Sequence, residues 1–108
     1  MPWTYAAPRS ALGARDVIAV EVSGQRLALY RLGDAIHATA DACPHLGASL
    51  SQGCVVEGFV ECPLHFALFD IRTGAAGGGP TTRSVRTYPT KVEQDGIYVD
   101  IPAAEEIA

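Results

Sequence analysis

Two cysteine–histidine pairs are the residues of this chain best suited to chemistry. They are Cys43-Pro44-His45 and Cys62-Pro63-Leu64-His65, and sixteen residues lie between His45 and Cys62. Thiolate sulfur and imidazole nitrogen both bind zinc and iron, so two loops that each supply one of each can share a metal centre. A two-iron, two-sulfide cluster can use this set with both cysteines on one iron and both histidines on the other.

Two alternatives to such a cluster stay open from the residues alone. One tetrahedral zinc ion could take the same four ligands, although zinc fingers usually supply a cysteine pair and then a histidine pair, often on a helix. The other alternative is coincidence, with small buried cysteines and solvated histidines. A proline follows the cysteine of each Cys–His pair, and this shared pattern favours a common metal centre. The alternating order of ligands on loops favours iron–sulfur over zinc.

The elements that must position these residues are predicted to be short strands. Apolar and β-branched runs alternate with turn signals, which is typical of hairpins, here around Ser23-Gly24, Glu57-Gly58 and Gln94-Asp95-Gly96. The run from Ser84 to Glu93 is expected to form one strand. No window of helical length keeps a 3.6-residue apolar period. The sequence therefore predicts an all-β fold, an antiparallel sandwich or barrel.

We expect a single domain over residues 1–108 in two parts. A base domain comprises residues 1–40 and 81–108, and a small cluster-binding subdomain at about 41–80 is inserted in it. The insert contains both Cys–His pairs and ends in a glycine-rich run from Gly74 to Gly79. Because Pro80 follows and no helix begins there, a phosphate site is a poor interpretation of these glycines. Close backbone approach to a buried cluster, or a flexible loop, explains them better.

Composition and charge exclude several classes of protein. A chain of 108 residues with 48% hydrophobic and 19% charged residues suits one folded domain. Its net charge of −4, with the acidic excess in residues 41–108, argues against nucleic acid or an anionic membrane as a partner. No long apolar segment or signal-like N-terminus is present, so no membrane span is expected. Three cysteines, two of them beside histidines, indicate a reducing cytoplasm rather than a disulfide framework.

Two further residues with ligand chemistry have simpler interpretations. Cys54 stands beside two valines and is expected to be a buried hydrophobic residue. His37 lies in an apolar run and is expected to be a partly buried strand histidine rather than a ligand.

The two-loop pattern resembles the signature of the Rieske iron–sulfur family. The similarity covers roughly residues 3 to 101, and beyond the Cys–His pairs it rests on Leu50-Ser51-Gln52-Gly53, Glu57-Gly58, Phe69-Asp70, Thr73-Gly74, Pro80 and Tyr88-Pro89. It implies a Rieske-type fold in which Cys43, His45, Cys62 and His65 bind one [2Fe-2S] cluster.

The resemblance is to soluble ferredoxins rather than to the membrane-bound branch. Ala48 and Leu64 stand where respiratory and photosynthetic members have an extra pair of cysteines, so their disulfide is not available. No hydroxyl side chain follows His65 closely, which implies few hydrogen bonds to the cluster sulfurs and a potential near the low end of the Rieske range, about −150 mV rather than about +300 mV. Phe66 departs from the family, where a small or polar residue often follows the second histidine.

The resemblance also implies a role in bacterial aromatic hydrocarbon catabolism. Such ferredoxins are not enzymes; in the cytoplasm they pass single electrons from a flavin-containing ferredoxin reductase to the terminal oxygenase of a ring-hydroxylating dioxygenase system. No histidine follows His65, so a second iron site with two histidines is not available. Leu46, Pro63 and Phe66 are expected either to form an apolar docking rim or to pack locally around the cluster.

Two other functions stay open at this point. A Rieske-type small subunit of another redox enzyme, such as a nitrite reductase, would have the same loops. A zinc-stabilised interaction module would have no redox role.

Overall fold

A computed structural model describes residues 3–43, 48–63, 66–78 and 83–101 of the chain. Within these ranges eleven strands form three antiparallel sheets, with strand orders β1-β11-β10, β2-β3-β4-β9 and β5-β6-β7-β8. The strands are β1 Trp3–Pro8, β2 Val17–Val22, β3 Gln25–Leu32, β4 Ala35–Ala40, β5 Cys54–Val56, β6 Phe59–Glu61, β7 Leu68–Asp70, β8 Ala76–Gly78, β9 Thr87–Tyr88, β10 Thr90–Glu93 and β11 Gly96–Asp100. The helical segments in this part of the chain are two short 3-10 turns, Arg9–Leu12 and Leu50–Gln52. The predicted all-β, antiparallel fold is confirmed.

The three predicted hairpins have turns of one kind. Both central residues have positive φ at Ser23-Gly24 (53° and 78°), at Glu57-Gly58 (50° and 85°) and at Gln94-Asp95 (49° and 65°). Two successive positive φ angles are the mark of type I′ turns, whose twist matches that of the flanking strands. The third turn is one residue shorter than predicted, because Gly96 already belongs to β11.

The predicted single strand from Ser84 to Glu93 is wrong. The chain divides at Pro89 into β9, which pairs with β4, and β10, which pairs with β11 in another sheet. Proline has no amide hydrogen to donate to a ladder, so it suits a point where the chain changes sheets.

Strand β3 separates two hydrophobic cores. Side chains alternate across a strand, and in β3 Leu27 and Leu29 enter one core while Ala28 and Tyr30 enter the other; all four are fully buried. The base core lies between the first two sheets, and its buried members are Ala7, Leu12, Val22, Leu27, Leu29, Ile36, Ala38, Tyr88, Ile97, Val99 and Ile101. The loop core lies between the second and third sheets, and its buried members are Val17, Ala28, Tyr30, Cys43, Leu50, Val60, Cys62, Ala67, Phe69, Ile71 and Val85.

The chain leaves the second sheet after β4 and returns to it at β9, which is the neighbour of β4. Thr39 pairs with Thr87, and the Ala40 amide donates a hydrogen bond to the Arg86 carbonyl at 2.8 Å. All four strands of the third sheet, from Cys54 to Gly78, belong to the segment between these two points. The two ends of that segment therefore meet side by side.

Two glycines of the run from Gly74 to Gly79 permit a close approach to other residues of the chain, whereas the predicted approach to a buried cluster stays a prediction. Gly77 lies under the Phe59 ring, where a Cβ would contact the ring carbons. Gly74 has φ +80° and faces the Val85 carbonyl. The Gly74 carbonyl oxygen accepts a hydrogen bond from the Val85 amide at 2.8 Å. In both cases the glycine approaches another residue of the chain, Phe59 or Val85. Gly79 and Pro80 lie outside the described residues.

No helix in the described ranges is long and apolar enough to cross a membrane.

Candidate metal centre

Cys43 and Cys62 are buried members of the same core. Cys43 is 2% exposed and follows β4 after two residues, whereas Cys62 is 1% exposed and comes directly after β6. Both belong to the loop core, so two separate loops bring one thiol each to one apolar region. The other two predicted ligands, His45 and His65, lie outside the described residues.

The two loops close in the same way. The Cys43 amide donates to the Ala48 carbonyl at 2.7 Å, and the Cys62 amide donates to the Ala67 carbonyl at 2.8 Å. In each loop the bond joins a cysteine to the residue five positions later, so the loops have equal length although their histidines stand at different positions. Ala48, one of the two residues expected to stand in place of the disulfide cysteines, closes the first loop; the other, Leu64, is outside the described residues.

A buried carboxylate fixes the base of the first loop. Asp41 is 1% exposed and accepts hydrogen bonds from Arg26 Nε at 2.7 Å and from the Ser51 amide at 2.8 Å. Its main-chain oxygen accepts the Leu50 amide at 2.7 Å. Burial alone would raise the pKa of Asp41, but the bonds from Arg26 and Ser51 outweigh it and hold the pKa below the usual range.

Sequence reasoning missed Asp41 because no motif marks it. Its partner Arg26 lies fifteen positions earlier, on β3, and becomes a neighbour only through the pairing of β3 with β4. The one local indication of its role is its place in the sequence, two positions before Cys43.

Beneath the first loop, Tyr30 and Thr39 form a buried polar pair. The Tyr30 hydroxyl lies 2.8 Å from Thr39 Oγ1, which itself donates to the Ala40 carbonyl at 2.8 Å. Thr39 Oγ1 therefore accepts a hydrogen bond from the Tyr30 hydroxyl. Burial raises the pKa of Tyr30 far above its usual range, so the phenol stays neutral.

The donor set fits a sulfur-ligated centre. Among the described residues no group of three or more histidine, cysteine, aspartate or glutamate side chains could hold a metal ion. Of the four predicted ligands, the structure describes the two buried thiols of Cys43 and Cys62. The three cysteines form no disulfide bond. Two thiols in an apolar core, on loops of equal length, suit the sulfur side of a cluster with mixed ligands.

Cys54 does not belong to this centre, and its predicted burial is wrong. It is exposed at the start of β5, and Val55 instead packs against the loop core. A three-residue strand of apolar residues gives no polar alternation, so the sequence could not indicate which face turns inward.

His37 is the partly buried strand histidine that the sequence predicted. It lies on β4 and lines a cavity of about 330 Å³ with Arg72 and Thr90. Its Nε2 atom is buried and has no hydrogen-bond partner in the described part of the chain. Burial, and next Arg72, lower the pKa of His37, so the imidazole is neutral at pH 7.

Phe66, in the second loop, has an unusual backbone conformation for a bulky residue. Its φ is +59°, in the left-handed region, and its side chain is 65% exposed. Of the three residues predicted to form a docking rim, Pro63 is also exposed; Leu46 lies outside the described residues.

Comparison with known proteins agrees with this geometry. The model of the Rieske [2Fe-2S] domain matches residues 2–89. The ferredoxin component of the naphthalene 1,2-dioxygenase system of Pseudomonas putida is 38% identical over 92% of this chain and 95% of its own. The anthranilate 1,2-dioxygenase ferredoxin subunit of Burkholderia cepacia is 45% identical over 80% of this chain and 81% of its own.

Solved structures extend the similarity to the whole fold. The ferredoxin of carbazole 1,9a-dioxygenase from Nocardioides aromaticivorans IC177 superposes with a TM-score of 0.88, at 32% identity, over 94% of this chain and all of its own. A ferredoxin in a complex of reduced oxygenase and oxidised ferredoxin of carbazole 1,9a-dioxygenase has a TM-score of 0.84, at 32% identity, over 92% of this chain and 93% of its own. The chain therefore belongs to the Rieske [2Fe-2S] domain family, on its ferredoxin branch, whose members carry electrons and are not themselves enzymes.

Proposed function

We propose that this chain carries single electrons from a flavin-containing reductase to the terminal oxygenase of a ring-hydroxylating dioxygenase system. The observation that carries the proposal is the pair of buried cysteines, Cys43 and Cys62, on two equally closed loops that meet in one core. The relatives named as ferredoxin components of such systems support it. When bound, the [2Fe-2S] cluster supplies a centre that accepts and releases one electron.

The proposed ligands are Cys43 and Cys62 on one iron and His45 and His65 on the other. Burial of both cysteines supports their place on the inner side, since thiolates in an apolar core are kept from water and oxidants. Two ferric ions, two sulfides and two thiolates sum to zero charge with neutral imidazoles, whereas four thiolates would give a net charge of −2. Neutral histidine ligation therefore makes reduction easier than in an all-cysteine cluster.

Exchange of a histidine for cysteine tests this ligand set. We expect His45→Cys or His65→Cys to lower the reduction potential by about 100 mV or more, since two such exchanges separate Rieske centres from plant-type ferredoxins near about −400 mV. Voltammetry of the purified protein measures the shift, and His37→Cys is the matched control, with no change expected. An unchanged potential with intact iron and sulfide in a loop variant removes that histidine from the ligand set.

The proposal includes the location of the protein and the division of its chain. A reducing cytoplasm is supported by three cysteines without a disulfide bond. The base domain, residues 1–40 and 81–108, and the cluster-binding subdomain at about 41–80 are supported by the third sheet, whose strands all lie between Cys54 and Gly78.

Reconstitution tests the carrier role itself. Reductase and terminal oxygenase of the naphthalene or anthranilate system are mixed with NADH and substrate, with and without this protein. Product formation is expected to depend on the protein and to saturate with its concentration. The Cys62→Ala variant, which we expect to lack the cluster, should not support turnover. Equal product formation without the protein, or with that variant, contradicts the carrier role.

A further inference from the structure

Phe66 has a backbone conformation that its residue type disfavours. Five non-glycine residues in the described ranges have positive φ: Ser23, Glu57, Phe66, Gln94 and Asp95. The other four lie in two-residue hairpin turns, which require this conformation. Phe66 lies in no hairpin turn, and it is the aromatic member of the group. For a bulky residue such a φ brings Cβ too close to the backbone, so the sequence holds a strained residue here.

The matching position of the other loop contains glycine. Both loops run six residues from their cysteine to the carbonyl that closes them, so Phe66, fourth after Cys62, corresponds in count to Gly47, fourth after Cys43. Glycine adopts positive φ without steric cost. A glycine at residue 66 would therefore give the loop a more stable backbone.

Packing does not offset this strain. Phe66 is the most exposed of the large hydrophobic side chains in the described ranges, ahead of Tyr5, Val56 and Val92. A ring that is 65% exposed removes little apolar surface from water. A strained backbone that carries an exposed ring points to a role outside the folded chain.

The position of Phe66 suits contact with a partner during electron transfer. It directly follows His65, a proposed ligand, and directly precedes Ala67, whose carbonyl closes the loop. A partner that takes an electron through this loop must contact its surface. Electron-transfer complexes bury little area, so a single exposed aromatic ring can supply a large share of the apolar contact.

We propose that Phe66 is a recognition residue for the terminal oxygenase, whose surface offers an apolar recess for the ring. This inference rests on the proposed carrier function. The oxygenase is chosen over the reductase because a similar ferredoxin is known in complex with its oxygenase. Phe66 then trades stability of the loop for affinity in the electron-delivery step.

Opposite effects on stability and on electron transfer test the proposal. Holoprotein reduced with dithionite, which replaces the reductase, is mixed in a stopped-flow instrument with oxidised terminal oxygenase of the naphthalene or anthranilate system. Phe66→Gly and Phe66→Ala are expected to lower the second-order rate constant at least tenfold, while the reduction potential stays unchanged. Phe66→Gly should also raise the Tm, whereas Phe66→Ala, which keeps a Cβ, should not.

Two controls separate recognition from general effects. Val92→Ala shortens an exposed apolar side chain on β10, in a sheet without loop cysteines, and should leave the rate unchanged. Reduction of each variant by the reductase and NADH should stay within twofold of the wild-type rate. Loss of the reductase step with an intact oxygenase step would assign the ring to the reductase and overturn the proposal.

The remaining outcomes distinguish this proposal from the function on which it rests. Equal oxygenase rates for wild type and both variants overturn the role of Phe66 and leave the carrier function intact. Failure of the wild-type protein to reduce either oxygenase overturns the proposed function. If Phe66→Gly did not assemble its cluster, the alanine variant would supply the same rate comparison.

Discussion

Replacing Cys62 with alanine is expected to yield a colourless protein without iron or acid-labile sulfide. Cys62 is 1% exposed in the loop core, so water has little access to supply a replacement ligand at this position. Without the Cys62 thiolate the cluster lacks one of its charged ligands. The binding energy that the bound cluster contributes to folding is then lost. Visible absorbance and paired iron and sulfide assays measure the result.

Cys54→Ala is the matched control. Cys54 is exposed on β5, outside both loops, so its variant should keep the spectrum and the iron and sulfide content of the wild type. The same substitution chemistry is thus made at one buried and one exposed cysteine. A Cys62→Ala variant that retains the wild-type spectrum, or a Cys54→Ala variant that loses it, contradicts the ligand assignment.

Replacing Gly74, in the turn between β7 and β8, with alanine is expected to destabilise the protein strongly. Gly74 has φ +80°, and an added Cβ would overlap the Val85 carbonyl oxygen and lie 3.1 Å from a Thr87 methyl carbon. The cost combines left-handed strain with overpacking against backbone that cannot move freely, about 3 kcal/mol or more in total. For a domain of this size we expect the Tm to fall by more than about 12 °C.

Gly33→Ala separates the two contributions to this cost. Gly33 has φ +62°, but nothing lies within 4 Å of an added Cβ, so only backbone strain remains. That strain alone amounts to about 1 kcal/mol, or about 4–8 °C in Tm. Thermal unfolding of the two holoproteins under one protocol gives the comparison. Equal losses at both positions would show that Val85 moves aside and that the close approach has no energetic weight.

The hairpins and the cysteine loops could be predicted from the sequence because their signals are local. Turn residues such as Ser23-Gly24 and Glu57-Gly58 favour positive φ whatever surrounds them, and the structure has type I′ angles at both. Each Cys–His pair likewise lies within a few consecutive residues of its own loop. Such features need no knowledge of distant partners.

Features that depend on distant partners were not predictable. The contact of Asp41 with Arg26 exists because β3 and β4 pair, and no local pattern records it. The exposure of Cys54 depends on which face of β5 meets the loop core. The break at Pro89 was readable in principle, since proline interrupts a ladder, but the exchange of sheets on either side of it depends on tertiary packing.

The adjacency of Ala40 and Arg86 has a consequence for how this fold can be altered. One hydrogen bond of 2.8 Å and the neighbouring Thr39–Thr87 pair hold both ends of the intervening segment at one edge of the β2-β3-β4-β9 sheet. Among the residues that the structure describes, the base core contains none from between these ends. Residues 41–85 should therefore behave as a cassette. Exchange with the equivalent segment of a related ferredoxin should transplant the redox centre onto this scaffold, provided that the new segment packs on Val17, Ala28 and Tyr30 and keeps an acidic partner for Arg26.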